Sequence, residues 1–102
     1  MPLLDDELRG RLPPLFAQEA DMDPTVYCRF HLPGTSQAWY VTEGMPDGQD
    51  FVFFGFVAGP NEFRQFRLSE LERMRGLCGS QVERDPAFTE GRLTDVVPAP
   101  DE

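Results

Sequence analysis

The chain has no lysine and no isoleucine, one histidine and two cysteines in 102 residues. All nine of its cations are arginines and face eighteen carboxylates, for a net charge of −9. That field opposes nucleic acid and anionic membrane surfaces, because both are held by Lys and Arg neutralising phosphate. Together, the two missing residue types read as the codon bias of a GC-rich genome and carry no chemistry. The longest apolar run, Phe51 to Ala58, falls well short of the ~18–20 residues of a membrane span. Met1-Pro2-Leu3-Leu4 passes at once into Asp5-Asp6-Glu7, without the basic and apolar regions of a leader, so a cytoplasmic protein is expected. Cys28 and Cys78 are then expected to be reduced.

What is present is a folding chain. Apolar residues make up 40%, nine of them Phe, which suffices for a core without a metal or a disulfide. The length fits one domain. Between Phe30 and Phe63 there are four carboxylates and no arginine, set around the aromatic runs Trp39 to Glu43 and Phe51 to Val57.

Asp5 predicts a helix cap, with a short helix to about Arg11 that is ended by Pro13-Pro14. Thr25 to Leu32 alternates, placing Val26, Cys28, Phe30 and Leu32 on one face of a strand. Gln37 to Glu43 is a second strand with Trp39 and Val41 opposite Ala38, Tyr40 and Thr42. Phe51 to Ala58 is apolar on both faces and reads as a central strand, in which Gly55 marks a bulge or a closely packed neighbour. Phe63 to Leu68 is a fourth strand. Ser69 and Glu72 then form a capping box, and Gly76 closes that helix as a left-handed cap. Glu70 with Arg73 and Glu72 with Arg75 stand three apart as surface ion pairs. Gln81 to Asp85 is a short edge strand stopped by Pro86. The expected class is α+β: an antiparallel four- to five-stranded meander with a short N-terminal helix and one helix after strand four. Residues 1–90 form the domain and residues 91–102 a loosely ordered acidic tail.

Several motifs occur in order. They are Leu12-Pro13-Pro14-Leu15 with Gln18-Glu19, Trp39-Tyr40-Val41-Thr42-Glu43-Gly44, Asp50-Phe51 with Phe53-Phe54-Gly55, Ser69-Glu70-Leu71-Glu72 with Arg75-Gly76, and Glu83-Arg84-Asp85. This series resembles the bacterial domain-of-unknown-function family 2958 from about Leu3 to Asp85. The resemblance implies a small intracellular domain, often carried on mobile elements. It carries over no established activity and no catalytic residue.

No catalytic signature emerges from the residues themselves. Cys28 and His31 are an odd number apart on one strand and point to opposite faces, which separates them both as zinc ligands and as a nucleophile–base pair. Asp21 and Asp23 resemble the start of a calcium loop, but Val26 stands at its glycine position and Leu32 at its clamping glutamate. Glu43 and Asp50 could share acid–base work if they flanked a cleft. Phosphate-binding glycine loops are absent.

The expected function is therefore a non-enzymatic, acidic protein-binding module. Asp21, Asp23, Glu43, Asp47 and Asp50 form its outward patch, and Trp39 or Tyr40 supplies an exposed anchor. Its partner is a basic protein or the basic groove of a nucleic-acid-binding complex, such as a host defence system modulated by a mobile-element accessory protein. Contact with nucleic acid itself, a membrane or a cofactor is not expected. Full mimicry of duplex DNA fails on magnitude, since ~30 Å of duplex carries on the order of 18 charges. The chain matches that total only if its nine arginines are ignored. The alternative is a small enzyme or ligand-binding domain with a pocket lined by Tyr40, Glu43 and Asp50.

Overall fold

A computed structural model describes residues 3–97. Helix α1, Asp6–Arg11, starts where Asp5 Oδ1 accepts the Leu8 N–H at 2.8 Å. Acidic side chains in its first turn and arginines in its last complement the helix dipole. Seven strands follow: β1 Thr25–Val26, β2 Cys28–His31, β3 Ala38–Asp47, β4 Asp50–Ala58, β5 Glu62–Arg67, β6 Glu83–Arg84 and β7 Gly91–Arg92. Helix α2, Leu68–Arg73, follows β5, and the short α3, Leu93–Val96, follows β7. No helix among the described residues is long and apolar enough to cross a membrane.

The fold is α+β. Its main sheet has the order β5-β4-β3-β2-β6 with every pair antiparallel. Strands β2 to β5 form the expected meander, and β6 returns to the far edge beside β2. One face of the sheet is the aromatic core. Phe53 lies at its centre, with its ring centroid 5.5 Å from Phe30, 5.1 Å from Phe51 and 5.6 Å from Phe66. Leu8 and Leu12 from the α1 segment and Leu71 from α2 close over these rings with Trp39 and Val41. Buried aromatic pairs of this kind contribute about 1 kcal/mol each beyond the area they bury. On the opposite face a smaller cluster joins Val26, Ala38 and Tyr40 to Phe88, Leu93 and Val96.

Four local expectations are corrected. The strand expected over Thr25 to Leu32 breaks at Tyr27, so β1 pairs with β7 while β2 pairs with β3 and β6. Val26 accordingly packs on the opposite side of the sheet from Cys28 and Phe30. Ser69 does not cap α2 but sits inside it. The orphan Ser69 N–H donates to Asp50 Oδ1 at 3.2 Å, and the Ser69 hydroxyl donates to Oδ2 at 2.6 Å. A carboxylate from β4 thus takes the capping role across space, while Glu70 accepts the Arg67 N–H at 2.8 Å. Gly76 has an ordinary negative φ of −97° and follows a helix that has already ended at Arg73. The expected Glu72–Arg75 pair is replaced by Arg75 donating to the Glu72 and Met74 carbonyls.

Of the tail expected from residue 91, β7 pairs with β1, and the Leu93 N–H donates to the Pro24 carbonyl at 2.9 Å. Residues 98–102 lie outside the described residues.

Candidate functional site

Strands β3 and β4 pair in register from Ala38↔Ala58 to Val41↔Gly55, then resume at Glu43↔Phe54. Thr42 is therefore an extra residue, a β-bulge, and it resets the alternation of β3. Simple alternation would send Glu43 to the side of Trp39 and Val41, into the aromatic core. The bulge instead gives that side to Gly44, where an added Cβ would stand 2.6 Å from the Phe51 ring. Glu43 turns to the opposite face. Gly55 permits the kink, since a Cβ there would overlap the Tyr40 carbonyl oxygen.

Glu43 is only 3% exposed, and its charge is met by backbone alone. The Phe16 N–H donates to Oε1 at 2.8 Å and the Gln18 N–H to Oε2 at 2.7 Å. Phe16 holds a left-handed φ of 72° to present its N–H in this way. The Gln18 side chain completes the clamp, donating to the Thr25 and Thr42 carbonyls and accepting the Thr25 N–H. One buried carboxylate and one amide thus fasten the turn after Pro14 onto the sheet.

Beside this clamp lies a cavity of about 340 Å³, at the small end for ligand pockets and large enough for one or two side chains. Its apolar wall is Leu15, Phe16, Pro24, Phe54 and Phe63; Glu19, Asp21 and Glu43 supply carboxylates, and no arginine lines it. Phe54 and Phe63 stack with centroids 5.8 Å apart. Phe16 and Phe63 are 64% and 45% exposed, and Met22 in the same loop is almost fully exposed.

The residues expected to form one acidic patch are divided among three places. Glu43 is buried at the groove. Asp47 and Asp50 flank Arg67, at 2.6 Å and 3.9 Å. The Ser69 hydroxyl beside Asp50 holds its carboxyl below the usual range, aided by the Phe51 N–H. Asp23 accepts the N–H and hydroxyl of Thr94, and the N–H contact above all lowers its pKa. Asp21 lines the groove and lies 4.0 Å from Arg92. Trp39 and Tyr40 are both buried, because clusters cover both faces of β3, so neither is a surface anchor. Tyr40 instead carries Arg29, whose Nε donates to its hydroxyl at 3.3 Å. The expected pocket of Tyr40, Glu43 and Asp50 is not assembled, and Glu43 alone of the three reaches the groove.

Cys28 is buried on the aromatic side, and burial pushes its thiol up to about 12, out of range for a nucleophile. His31 lies across β2 from it, 3.7 Å from Glu83. Among the described residues, no three His, Cys, Asp or Glu side chains are grouped to hold a metal ion. A second cleft, lined by Asp5, Glu7, Asp85 and Glu90 with Arg11 and Arg84, has both of its arginines already paired, Arg84 with Asp5 and Arg11 with Glu90 and Glu7.

Sequence reading missed Phe16, Gln18, Glu19, Phe54 and Phe63 as one constellation. The available signal was a glutamate inside an apolar strand, with a glycine directly after it.

A family model described as a protein of unknown function (DUF2958) matches residues 3–98. No curated protein and no solved structure matches the chain.

Proposed function

The chain belongs to the DUF2958 family, whose description assigns no activity, and from that premise we propose that it is a binding module for a basic protein, with the Phe16–Phe54–Phe63 groove as its contact site. The observation that carries this reading is the lining itself: three phenylalanines and three carboxylates, without one arginine. Such a lining suits a cationic side chain presented beside an apolar one, since aromatic faces attract cations and the carboxylate rim supplies the counter-charge. Exposed aromatics around a pocket are also the usual composition of an interface centre.

Binding is favoured over catalysis by the state of Glu43. Both of its oxygens already accept backbone N–H groups, leaving neither placed to move a proton. The partner in this reading is the basic surface of a host nucleic-acid-binding complex, a defence system being one case, with the chain acting as a mobile-element accessory. Support for that class is the net charge of −9 and the span from Asp21 to Glu62, which holds six carboxylates and only Arg29.

The test is affinity purification from the native host with the wild-type chain and with a Glu19→Arg, Phe63→Ser double variant. A basic protein should be retained by the wild type, lost at high salt, and lost with the variant at an unchanged melting temperature. Equal capture by both chains would remove the groove from consideration.

A further inference from the structure

The main sheet ends at β5, and no strand pairs with its outer side among the described residues. The opposite edge is protected in the usual ways. Strand β6 has two residues, the Asp85 N–H beyond it returns to the Arg29 carbonyl, and Pro86 follows. Strand β5 has none of these guards. It runs six residues without a proline, and its pairing with β4 is continuous from Arg67 to Glu62 without a bulge. Its charges are already compensated, Arg64 by Glu62 along the strand itself and Arg67 by Asp47 and Asp50, so an incoming basic strand does not meet unpaired arginines.

This open edge is also one wall of the groove. Cross-strand partners share a face, and Phe63 and Gln65 pair with Phe56 and Phe54 on the groove side of the sheet. A strand added outside β5 would lie about 4.8 Å away and turn every second side chain toward that face. Those side chains would meet Phe63 first, with the carboxylates of Glu19 and Asp21 on the same rim.

We propose that the partner is taken as an extended segment that adds to β5 as a sixth strand, with alternate apolar and basic side chains over the Phe54–Phe63 groove. Main-chain hydrogen bonds along β5 supply the hold, and the acidic groove supplies the selection. The inference rests on the groove reading and adds the form of the ligand to it.

The probe is a displayed library of random nine-residue peptides selected on the full chain, followed by amide hydrogen exchange with each selected peptide. Bound peptides should carry Arg or Lys, weaken at least tenfold with Glu19→Gln plus Asp21→Asn, and slow exchange at alternate amides between Glu62 and Arg67. Successive N–H groups of a strand point to opposite sides, so of Arg64→Pro and Gln65→Pro one breaks the β4 ladder and the other removes an outward donor. The variant that keeps the wild-type melting temperature should lose the peptides at least tenfold. Peptides that need Glu19 and Asp21 but leave β5 exchange unchanged would overturn strand addition while keeping the groove. Peptides that protect β5 yet ignore both carboxylates would overturn the groove reading and keep the edge. Failure to select any peptide would overturn strand addition.

Discussion

The two faces of the main sheet are built on opposite plans. One is dry: Phe30, Phe51, Phe53 and Phe66 meet ring to ring under two helices, with Leu8 and Leu71 filling the gaps. The other holds the polar interior, with Glu43 clamped by backbone and Tyr40 beneath Arg29, and is roofed by a turn and by the segment around α3. The dry face has no surface to offer, whereas the roofed face leaves Phe54 and Phe63 partly open. In the proposed reading, stability and recognition fall to different sides of the same strands, and adjacent residues of β4 serve different ends.

Neighbouring phenylalanines give the sharpest contrast. Phe53→Ala should cost about 4 kcal/mol in denaturant unfolding, as expected when a fully buried ring is removed. Phe54→Ala should cost about 1 kcal/mol and abolish partner capture. Similar losses of stability at the two positions would break the division.

Gly55→Ala tests the hinge between the faces, because its methyl group would collide with the Tyr40 backbone rather than with a flexible side chain. A loss of about 3 kcal/mol is expected from such overpacking, with the β3–β4 ladder losing exchange protection around the bulge. Glu43→Ala should cost about 2 kcal/mol by stranding two donors. Its local signature is faster exchange at the Phe16 and Gln18 amides, with the aromatic core unchanged. If exchange accelerated throughout the core instead, the clamp would belong to the global fold.

The smallest effect concerns acid. Asp50 titrates below its unfolded value because the Ser69 hydroxyl, then the Phe51 N–H, favour its charged form. Its contribution is therefore fully present above about pH 4 and is lost as pH falls through the lower folded value. Asp50→Asn should flatten the acid limb of the stability curve without moving the dry face, as followed by melting at successive pH values. An unchanged acid limb would assign that limb to Asp5 and Asp23, whose carboxyls are likewise held low by backbone donors.

Much of the fold was legible in the sequence. The cap at Asp5, the both-sided burial of β4 and the close approach at Gly55 follow from local residue chemistry, and the meander follows from short turns. The site was less legible, for a stated reason. Alternation is a local rule, and an extra residue at Thr42 inverts it for everything downstream in β3. The outward patch failed similarly: charge counts along the chain do not reveal that Arg67 folds back between Asp47 and Asp50. Capping was misread at Ser69 because the acceptor that takes its N–H lies nineteen positions away.

Thr42 also makes β3 sensitive to length in a way that substitutions do not probe. Deleting this one codon would leave Glu43 directly after Val41 and still on the groove face, but it would remove the main-chain carbonyl that accepts the Gln18 amide and the hydroxyl that donates to the Phe54 carbonyl. The strand thus tolerates many spellings but only one count.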